Sequence, residues 1–198
     1  MDDPLLILDQ VVGCLDKWAL SVADISLASQ SENIVYRLTD TQGGNYALRI
    51  HRPGYHTFAE LVSEHEWTNA LIEAGFPLPN AIPTTHGELY VPANVDGGVR
   101  FAGLVEWLDG SSLQAMTAKD ENRELLYASL EQAGELMAKL HHHSRQWQPS
   151  ESFRRHKFDI DGFFGDAPFW GRYWDSSFVD EAQRQLLLKS QKQLTQTL

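Results

Sequence analysis

Residues 31–54, SENIVYRLTDTQGGNYALRIHRPG, contain the clearest strand pattern of the chain. Apolar and polar residues alternate from Asn33 to Asp40, which is the period of a β-strand whose two faces meet different surroundings. Ile34, Tyr36 and Leu38 share one of these faces. The segment therefore predicts a strand with one side in a hydrophobic core.

A tight turn and two further strands flank this one. The run from Thr41 to Asn45 contains two glycines, which readily adopt the positive φ angles that hairpin turns need. Residues Tyr46 to Ile50 predict the next strand, and the alternation from Ile25 to Gln30 predicts the preceding one. Residues 25–51 are thus expected to form a three-stranded antiparallel meander.

The rest of the chain divides into a mixed part and a helical part. Apolar spacing predicts helices over 4–19 and 57–75, strands over 88–93 and 99–107, and then helices over 121–141 and 178–196. The expected fold class is α+β, with a five-stranded antiparallel sheet and one helix followed by helices alone. The change from strands to helices near Gly110 predicts lobes of 1–108 and 109–198.

The composition of the chain argues against a nucleic-acid partner and against a membrane partner. The net charge is −11, from 16 basic and 27 acidic residues, which argues against a nucleic-acid ligand because such binding depends on Lys and Arg. No apolar run reaches the length of a membrane span, and the acidic start does not resemble a signal peptide. The single cysteine, Cys14, cannot form an internal disulfide. These features favour a cytoplasmic protein with no membrane partner.

Five segments of the chain can be compared with a known family, in this order: SENIVYRL, YALRIHRPG, SEHEWTNALIEAGFPLP, LVEWLDG and AGELMAKLHHHS. In sequence and spacing they resemble the aminoglycoside phosphotransferase and choline kinase family, over about residues 25–145. The resemblance implies a protein-kinase-like fold, of which this chain holds only the N-terminal portion. It also implies transfer of phosphate from ATP, with Mg²⁺, to a hydroxyl of a small molecule.

The same resemblance assigns a nucleotide-binding pair. Arg49 lies where protein kinases place the lysine that contacts the α- and β-phosphates, and a guanidinium can make bidentate contacts with phosphate oxygens. Glu64 lies on the next helix, where the family places the carboxylate that pairs with this cation. Glu60 is the substitute if the register is shifted by half a turn. An ATP-shaped cleft is expected beside Arg49, and a solvated surface arginine is the alternative.

Two backbone segments complete the implied site. Ser31 and Asn33 occupy the turn that covers the phosphates, although they lack the usual glycines and also suit an ordinary polar turn. Glu106, Trp107 and Leu108 resemble the hinge whose main chain contacts the adenine edge, with core packing at a strand end as the alternative.

The family's catalytic loop reads His-Gly-Asp with an Asn four residues later, and this sequence contains no such pattern. No catalytic residue and no metal ligand is therefore assigned, and the ligands for Mg²⁺ are expected outside this chain. The adjacent histidines 141–143 suit a helix end better than a metal site. We expect a truncated form that is inactive alone, with a non-catalytic nucleotide-binding or interaction module as the alternative.

The phosphate acceptor stays open among aminoglycosides, choline, homoserine and other alcohols. Helices 121–141 and 178–196 have apolar sides that the remainder of such a kinase would cover. We therefore expect the chain to self-associate.

Overall fold

The computed structural model describes residues 3–113, 115 and 123–197, and the chain divides after Phe153 into two compact units. The first unit contains helix α1 (Pro4–Val11), a 3-10 segment (Val12–Trp18), strands β1 (Val22–Gln30), β2 (Ile34–Asp40) and β3 (Asn45–Ile50), helix α2 (Phe58–Glu73), strands β4 (Tyr90–Val95) and β5 (Gly98–Glu106), and helix α3 (Arg123–Gln146). The second contains helix α4 (Ile160–Phe164), a short 3-10 turn (Tyr173–Asp175) and helix α5 (Glu181–Thr197). The lobe boundary expected after residue 108 stays a prediction.

The five strands form one antiparallel sheet in the order β1-β2-β3-β5-β4. The predicted meander is confirmed, because β2 pairs with β1 on one side and with β3 on the other. The predicted facing of β2 is confirmed as well, since Ile34, Tyr36 and Leu38 are buried and the residues between them are half-buried. The α+β class with a five-stranded antiparallel sheet is thus the observed one.

One face of this sheet carries the hydrophobic core. The strands contribute Ile34, Tyr36, Leu38, Leu48, Ile50, Val91, Ala93, Val95, Ala102 and Leu104, all of them buried. The N-terminal segment covers this face with Ile7, Val11, Leu15 and Trp18. Buried apolar area contributes roughly 25 cal/mol per Å² to stability. Because the core occupies one face of the sheet, the opposite face is left for other contacts.

The predicted continuous helix over 4–19 is wrong in its second half. Helix α1 ends at Val11, and the chain continues as a 3-10 segment that ends at Trp18 and is followed by Ala19 with a positive φ of 50°. Gly13 disfavours the α-helix at this point. The tighter winding places residues three apart on one side, and Leu15 and Trp18 both enter the core in this way.

Helix α2 has well-defined ends. Thr57 and Glu60 form a reciprocal capping box at its start, and Gly75 terminates it with a φ of 87°. The apolar spacing of this helix predicts a buried face with Leu61, Val62, His65, Leu71 and Ile72, and this prediction is wrong at Val62, which is 44% exposed, whereas Ser63 is buried. Burial of Ser63 is tolerated because its hydroxyl donates a hydrogen bond of 2.8 Å to the Ala59 carbonyl.

The later helices form with their apolar sides uncovered. None of the residues in α3 is buried, and Leu125, Leu136 and Met137 are exposed. In the second unit no residue of α5 is buried either, and Leu186 is exposed. No described helix combines the length and apolar character that crossing a membrane requires.

Candidate functional site

The second face of the sheet carries a row of three side-chain positions on adjacent strands. Arg49 on β3 pairs with Gly103 on β5, and Gly103 pairs with Tyr90 on β4. Residues in register on neighbouring strands project from the same face. The row therefore places a cation, a gap and an aromatic ring side by side, on the face opposite the core.

Arg49 and Glu64 meet as the sequence predicts. An Arg49 guanidinium nitrogen donates to the Glu64 Oε1 atom at 3.0 Å, with the arginine side chain 40% exposed and the glutamate side chain 20% exposed. The substitute residue, Glu60, is engaged in capping α2 through Thr57. Glu66 faces elsewhere and accepts two hydrogen bonds from Ser150. The carboxylate that fixes Arg49 is thus Glu64.

The β1–β2 turn is held by its own polar groups and by Arg52, which follows β3. The Ser31 amide donates to the Asn33 carbonyl at 3.0 Å, and the Asn33 Oδ1 atom accepts from the Arg52 amide at 3.1 Å. The Arg52 side chain forms an ion pair with Glu32 in the same turn. Arg52, two residues after the end of β3 at Ile50, therefore helps to fix the conformation of this turn. A role of Ser31 and Asn33 in phosphate contact stays a prediction.

At the end of β5, successive backbone amides donate hydrogen bonds to segments on opposite sides of the strand. The Trp107 amide donates to the Asn45 carbonyl on β3 at 3.1 Å, whereas the Glu106 amide donates in the other direction, to the Asn80 carbonyl, at 2.9 Å. Hydrogen bonds from Asn80 hold the pKa of the Glu106 carboxyl below its usual value. Leu108 is exposed. The Glu106 side chain is thus a structural clamp, and the hinge role of this segment remains a prediction about its backbone.

A small cavity is lined in part by the Arg49–Glu64 pair. It has a volume of about 150 Å³ and is bounded by residues of β3, α2, β5, β4 and the segment before β4, including His51, Thr68, Leu78 and Tyr90. Binding pockets for drug-sized molecules have volumes of roughly 300–1,000 Å³. The cavity alone is therefore smaller than the predicted ATP cleft, and nucleotide binding beside Arg49 stays a prediction.

His51 is the residue of this site that the sequence reasoning missed. It follows Arg49 by two positions, so strand alternation directs both side chains to the same face. His51 is only 4% exposed, and burial, assisted by the positive charge of Arg49, lowers its pKa to about 4. Strand alternation counted from Arg49 could have identified His51 in the sequence, although His51 lies one residue past the end of β3.

The His51 environment predicts a pH dependence of stability. The histidine pKa is about 4 in the folded state against 6.5 for the free side chain, so the unfolded chain takes up a proton first as the pH falls. Stability is therefore lost between about pH 6.5 and pH 4. We expect urea unfolding at pH 5 to give a free energy about 2 kcal/mol lower than at pH 7 from this residue alone.

The variant His51→Leu isolates this contribution, because all other titrating groups are retained. Its loss of stability between pH 7 and pH 5 should be smaller than that of the unmodified chain by about the same 2 kcal/mol. Equal losses in the two proteins would mean that His51 titrates normally in the folded state.

Comparison with known proteins agrees with this architecture. Residues 25–196 match a family described as the phosphotransferase enzyme family, whereas no curated protein matches the chain. The chain is similar to a microcompartment-associated aminopropanol kinase, at 26% sequence identity and a TM-score of 0.76, over 94% of this chain and 55% of that one. It is also similar to the amicoumacin kinase hAmiN, solved with AMP-PNP, Ca²⁺ and Ami, at 16% identity and a TM-score of 0.71, over 100% of this chain and 53% of that one.

The second of these similarities supports the fold alone, and the chain spans about half the length of both solved structures. The predicted kinase-like fold and the family resemblance are confirmed. Since the family match extends over residues 25–196, which is most of the sequence, the chain belongs to the phosphotransferase enzyme family.

Proposed function

We propose that this chain forms the ATP-binding part of a kinase that transfers phosphate to the hydroxyl group of a small molecule. The observation that carries the proposal is the Arg49–Glu64 ion pair, at 3.0 Å, in a chain of the phosphotransferase family. Phosphoryl transfer depends mainly on positioning and charge compensation, so a fixed cation beside the nucleotide is what such a site requires.

Arg49 would contact the α- and β-phosphates of the nucleotide. One of its guanidinium nitrogens is bound to Glu64, which leaves the remaining N–H groups to donate to phosphate oxygens on the exposed side. Glu64 restricts the guanidinium to one direction and so reduces the entropy lost on binding. Ser31 and Asn33, in the β1–β2 turn, would close over the phosphates with backbone and side-chain donors.

The adenine would lie against the open face of the sheet beside the end of β5. Ala47 on β3 pairs with Val105 on β5, and these small side chains leave room for a flat ring. The Glu106 amide points away from β3, and alternation directs the Glu106 carbonyl and the Leu108 amide to the same side. We propose that these two backbone groups bind the adenine edge, while Trp107 holds the strand end to Asn45.

Mg²⁺ would enter with the nucleotide rather than on ligands near Arg49. Of the described residues that line the cavity, Glu64 alone has a carboxylate, and that group is paired with Arg49. Magnesium prefers several oxygen ligands in octahedral geometry, which this set does not supply. When bound, the ion would neutralise charge that develops on the transferred phosphoryl group.

The chain is proposed to bind ATP without transferring its phosphate. Its sequence has no His-Gly-Asp motif followed four residues later by Asn, and loss of a general base alone costs about 10²–10⁴ in rate. The acceptor belongs to the wider class of small alcohols. Among these, an amino alcohol is the first to test, because the chain resembles an aminopropanol kinase and carries a net charge of −11.

A thermal-unfolding titration tests nucleotide binding. MgATP is expected to raise the melting temperature in a saturable manner, because a ligand that binds only the native state stabilises it. AMP at equal concentration is the matched ligand, since it retains the adenine but lacks the β- and γ-phosphates, and it should give a smaller shift. No shift with MgATP up to millimolar concentration would contradict the proposal.

The missing catalytic motif also favours a second function, that of a non-catalytic nucleotide-binding or interaction module. Both functions predict ATP binding, and they differ in whether a longer protein that contains this chain transfers phosphate. Incubation with radiolabelled ATP and aminopropanol, choline, homoserine or an aminoglycoside distinguishes them. Turnover by the chain itself would refute the proposed inactivity.

We further propose that the chain self-associates through the apolar side of α3. This helix leaves Leu125, Leu130, Leu136 and Met137 exposed. We expect multi-angle light scattering to give a mass above the 22.4 kDa of one chain at micromolar concentration. The double variant Leu136→Glu and Met137→Glu should move the mass toward that of a monomer, and a compact monomer of the unmodified chain would contradict the prediction.

A further inference from the structure

The face of the sheet opposite the core carries an arginine beside the surface on which we place the adenine. Arg37 on β2 pairs with Ala47 on β3, and Ala47 pairs with Val105 on β5. Residues in register on neighbouring strands project from the same face. Arg37 lies between Tyr36 and Leu38, which are both buried in the core, so strand alternation directs Arg37 to the opposite face.

The Arg37 side chain reaches the segment that follows β5. Its guanidinium carbon lies 5.0 Å from the centre of the Trp107 ring, which is a cation–π contact. Because β3 lies between β2 and β5, the backbones of the two residues are two strand spacings apart, roughly 10 Å. The contact therefore crosses β3, next to the surface formed by Ala47 and Val105.

Arg37 and Trp107 are also joined through Asn45. A guanidinium nitrogen of Arg37 donates to the Asn45 Oδ1 atom at 3.2 Å, and the Trp107 amide donates to the Asn45 carbonyl at 3.1 Å. The Trp107 indole N–H group donates to the Asp109 carboxylate at 3.1 Å. Trp107 is therefore held at its ring face, at its indole nitrogen and at its backbone.

This arrangement leaves one donor of Arg37 unpaired. The Arg37 Nε atom is buried and has no hydrogen-bond partner among the described residues. An arginine that served only solubility would keep this group in water, because an unpaired buried N–H group costs free energy. The contact with Trp107 is thus made at a cost that a solvated surface residue does not carry.

We propose that Arg37 is a positioning residue for the nucleobase, which acts by fixing Trp107. The peptide units of Trp107 lie between the Glu106 carbonyl and the Leu108 amide, the two groups that we propose bind the adenine edge. A change in the orientation of Trp107 would misdirect both of them. The inference rests on the proposed ATP site and adds to it a residue of β2 that contacts neither the phosphates nor the acceptor.

Binding of MgATP and of magnesium tripolyphosphate to the full chain tests this role. Tripolyphosphate keeps three phosphates but has no base, so the ratio of the two affinities reports the contribution of the nucleoside. Arg37→Gln should lower this ratio about fivefold, the effect of one cation–π contact. The lost charge weakens both ligands, which carry similar charge, and therefore largely cancels from the ratio. Isothermal titration measures both affinities.

Three further variants locate the effect. Arg145→Gln makes the same change at an exposed position of α3 and should leave the ratio unchanged. Arg49→Ala should lower both affinities and so change the ratio less than Arg37→Gln does. Trp107→Leu should lower the ratio at least as much as Arg37→Gln, and adding Arg37→Gln to it should cause no further loss, because the two residues act through one contact.

The possible results separate this inference from the function on which it rests. No binding of MgATP to the unmodified chain would overturn both. Binding of MgATP with an unchanged ratio in Arg37→Gln would overturn the inference and leave the ATP site in place. If Arg37→Gln does not fold, an unchanged ratio in Asn45→Ala, which removes the acceptor of Arg37, has the same meaning. If tripolyphosphate binds too weakly to measure, equal MgATP affinities of Arg37→Gln and Arg145→Gln would overturn the inference.

Discussion

Replacing Arg49 with alanine is expected to lower the affinity for MgATP by about 10- to 100-fold, the value of one or more hydrogen bonds to a charged group. The change removes the cation that we propose contacts the phosphates and that pairs with Glu64. The negative charge of Glu64, no longer compensated by Arg49, adds repulsion to the lost attraction. Isothermal titration with MgATP measures the change directly.

Two further variants refine this prediction. Arg49→Lys keeps the charge but loses the fork of donors, so we expect an intermediate affinity. Glu64→Gln keeps the side-chain shape and removes the charge that orients Arg49, so a smaller loss than in Arg49→Ala is expected. Arg145→Ala, which removes an exposed cation at the end of α3, is the matched control and should bind as the unmodified chain does. Equal affinities of Arg49→Ala and Arg145→Ala would contradict the assignment.

Replacing Leu48 with alanine is expected to destabilise the first unit by about 2–5 kcal/mol, the range for a buried leucine that leaves a cavity. Leu48 is fully buried in β3, where its cross-strand neighbours are Tyr36 and Leu104, both in the core. Because close-packed cores relax only partly around a deletion, the lost contacts are not recovered. Equilibrium unfolding in urea, followed by tryptophan fluorescence, measures the loss.

The same chemical change at an exposed position provides the control. Leu27 on β1 is 46% exposed, and Leu27→Ala should cost less than about 1 kcal/mol. If the two variants lost equal stability, Leu48 would not occupy the core that the sheet is built around.

The strand β2 could be predicted from the sequence because one of its faces is buried and the other is half-buried. In β2, the alternation of Ile34, Tyr36 and Leu38 with more polar residues matches the alternation of buried and half-buried positions along the strand. The helix over 4–19 was less predictable, because an α-helix and a 3-10 segment bury nearly the same residues. Only the local cost of Gly13 separates the two forms, and this cost is small beside core packing.

The Arg49–Glu64 pair was predicted by resemblance, and neither residue alone would have revealed it. An arginine on a strand and a glutamate on a helix are common on protein surfaces. Sequence spacing alone does not show that two side chains 15 residues apart lie within 3.0 Å of each other. The cavity beside this pair could not be predicted, for a different reason. It depends on Gly103 and Tyr90, which tertiary pairing alone places beside β3.

The most direct measurement of the central claim is hydrogen exchange of the chain with and without Mg²⁺ and the ATP analogue AMP-PNP, followed by mass spectrometry. We predict slower exchange in the peptides that contain Ser31–Asn33, Arg49 and Leu108, because bound nucleotide would cover these backbone groups. Peptides from α5, such as those around Leu186, should be unaffected. No protection at saturating analogue, or protection confined to other peptides, would contradict a nucleotide site built on Arg49 and Glu64.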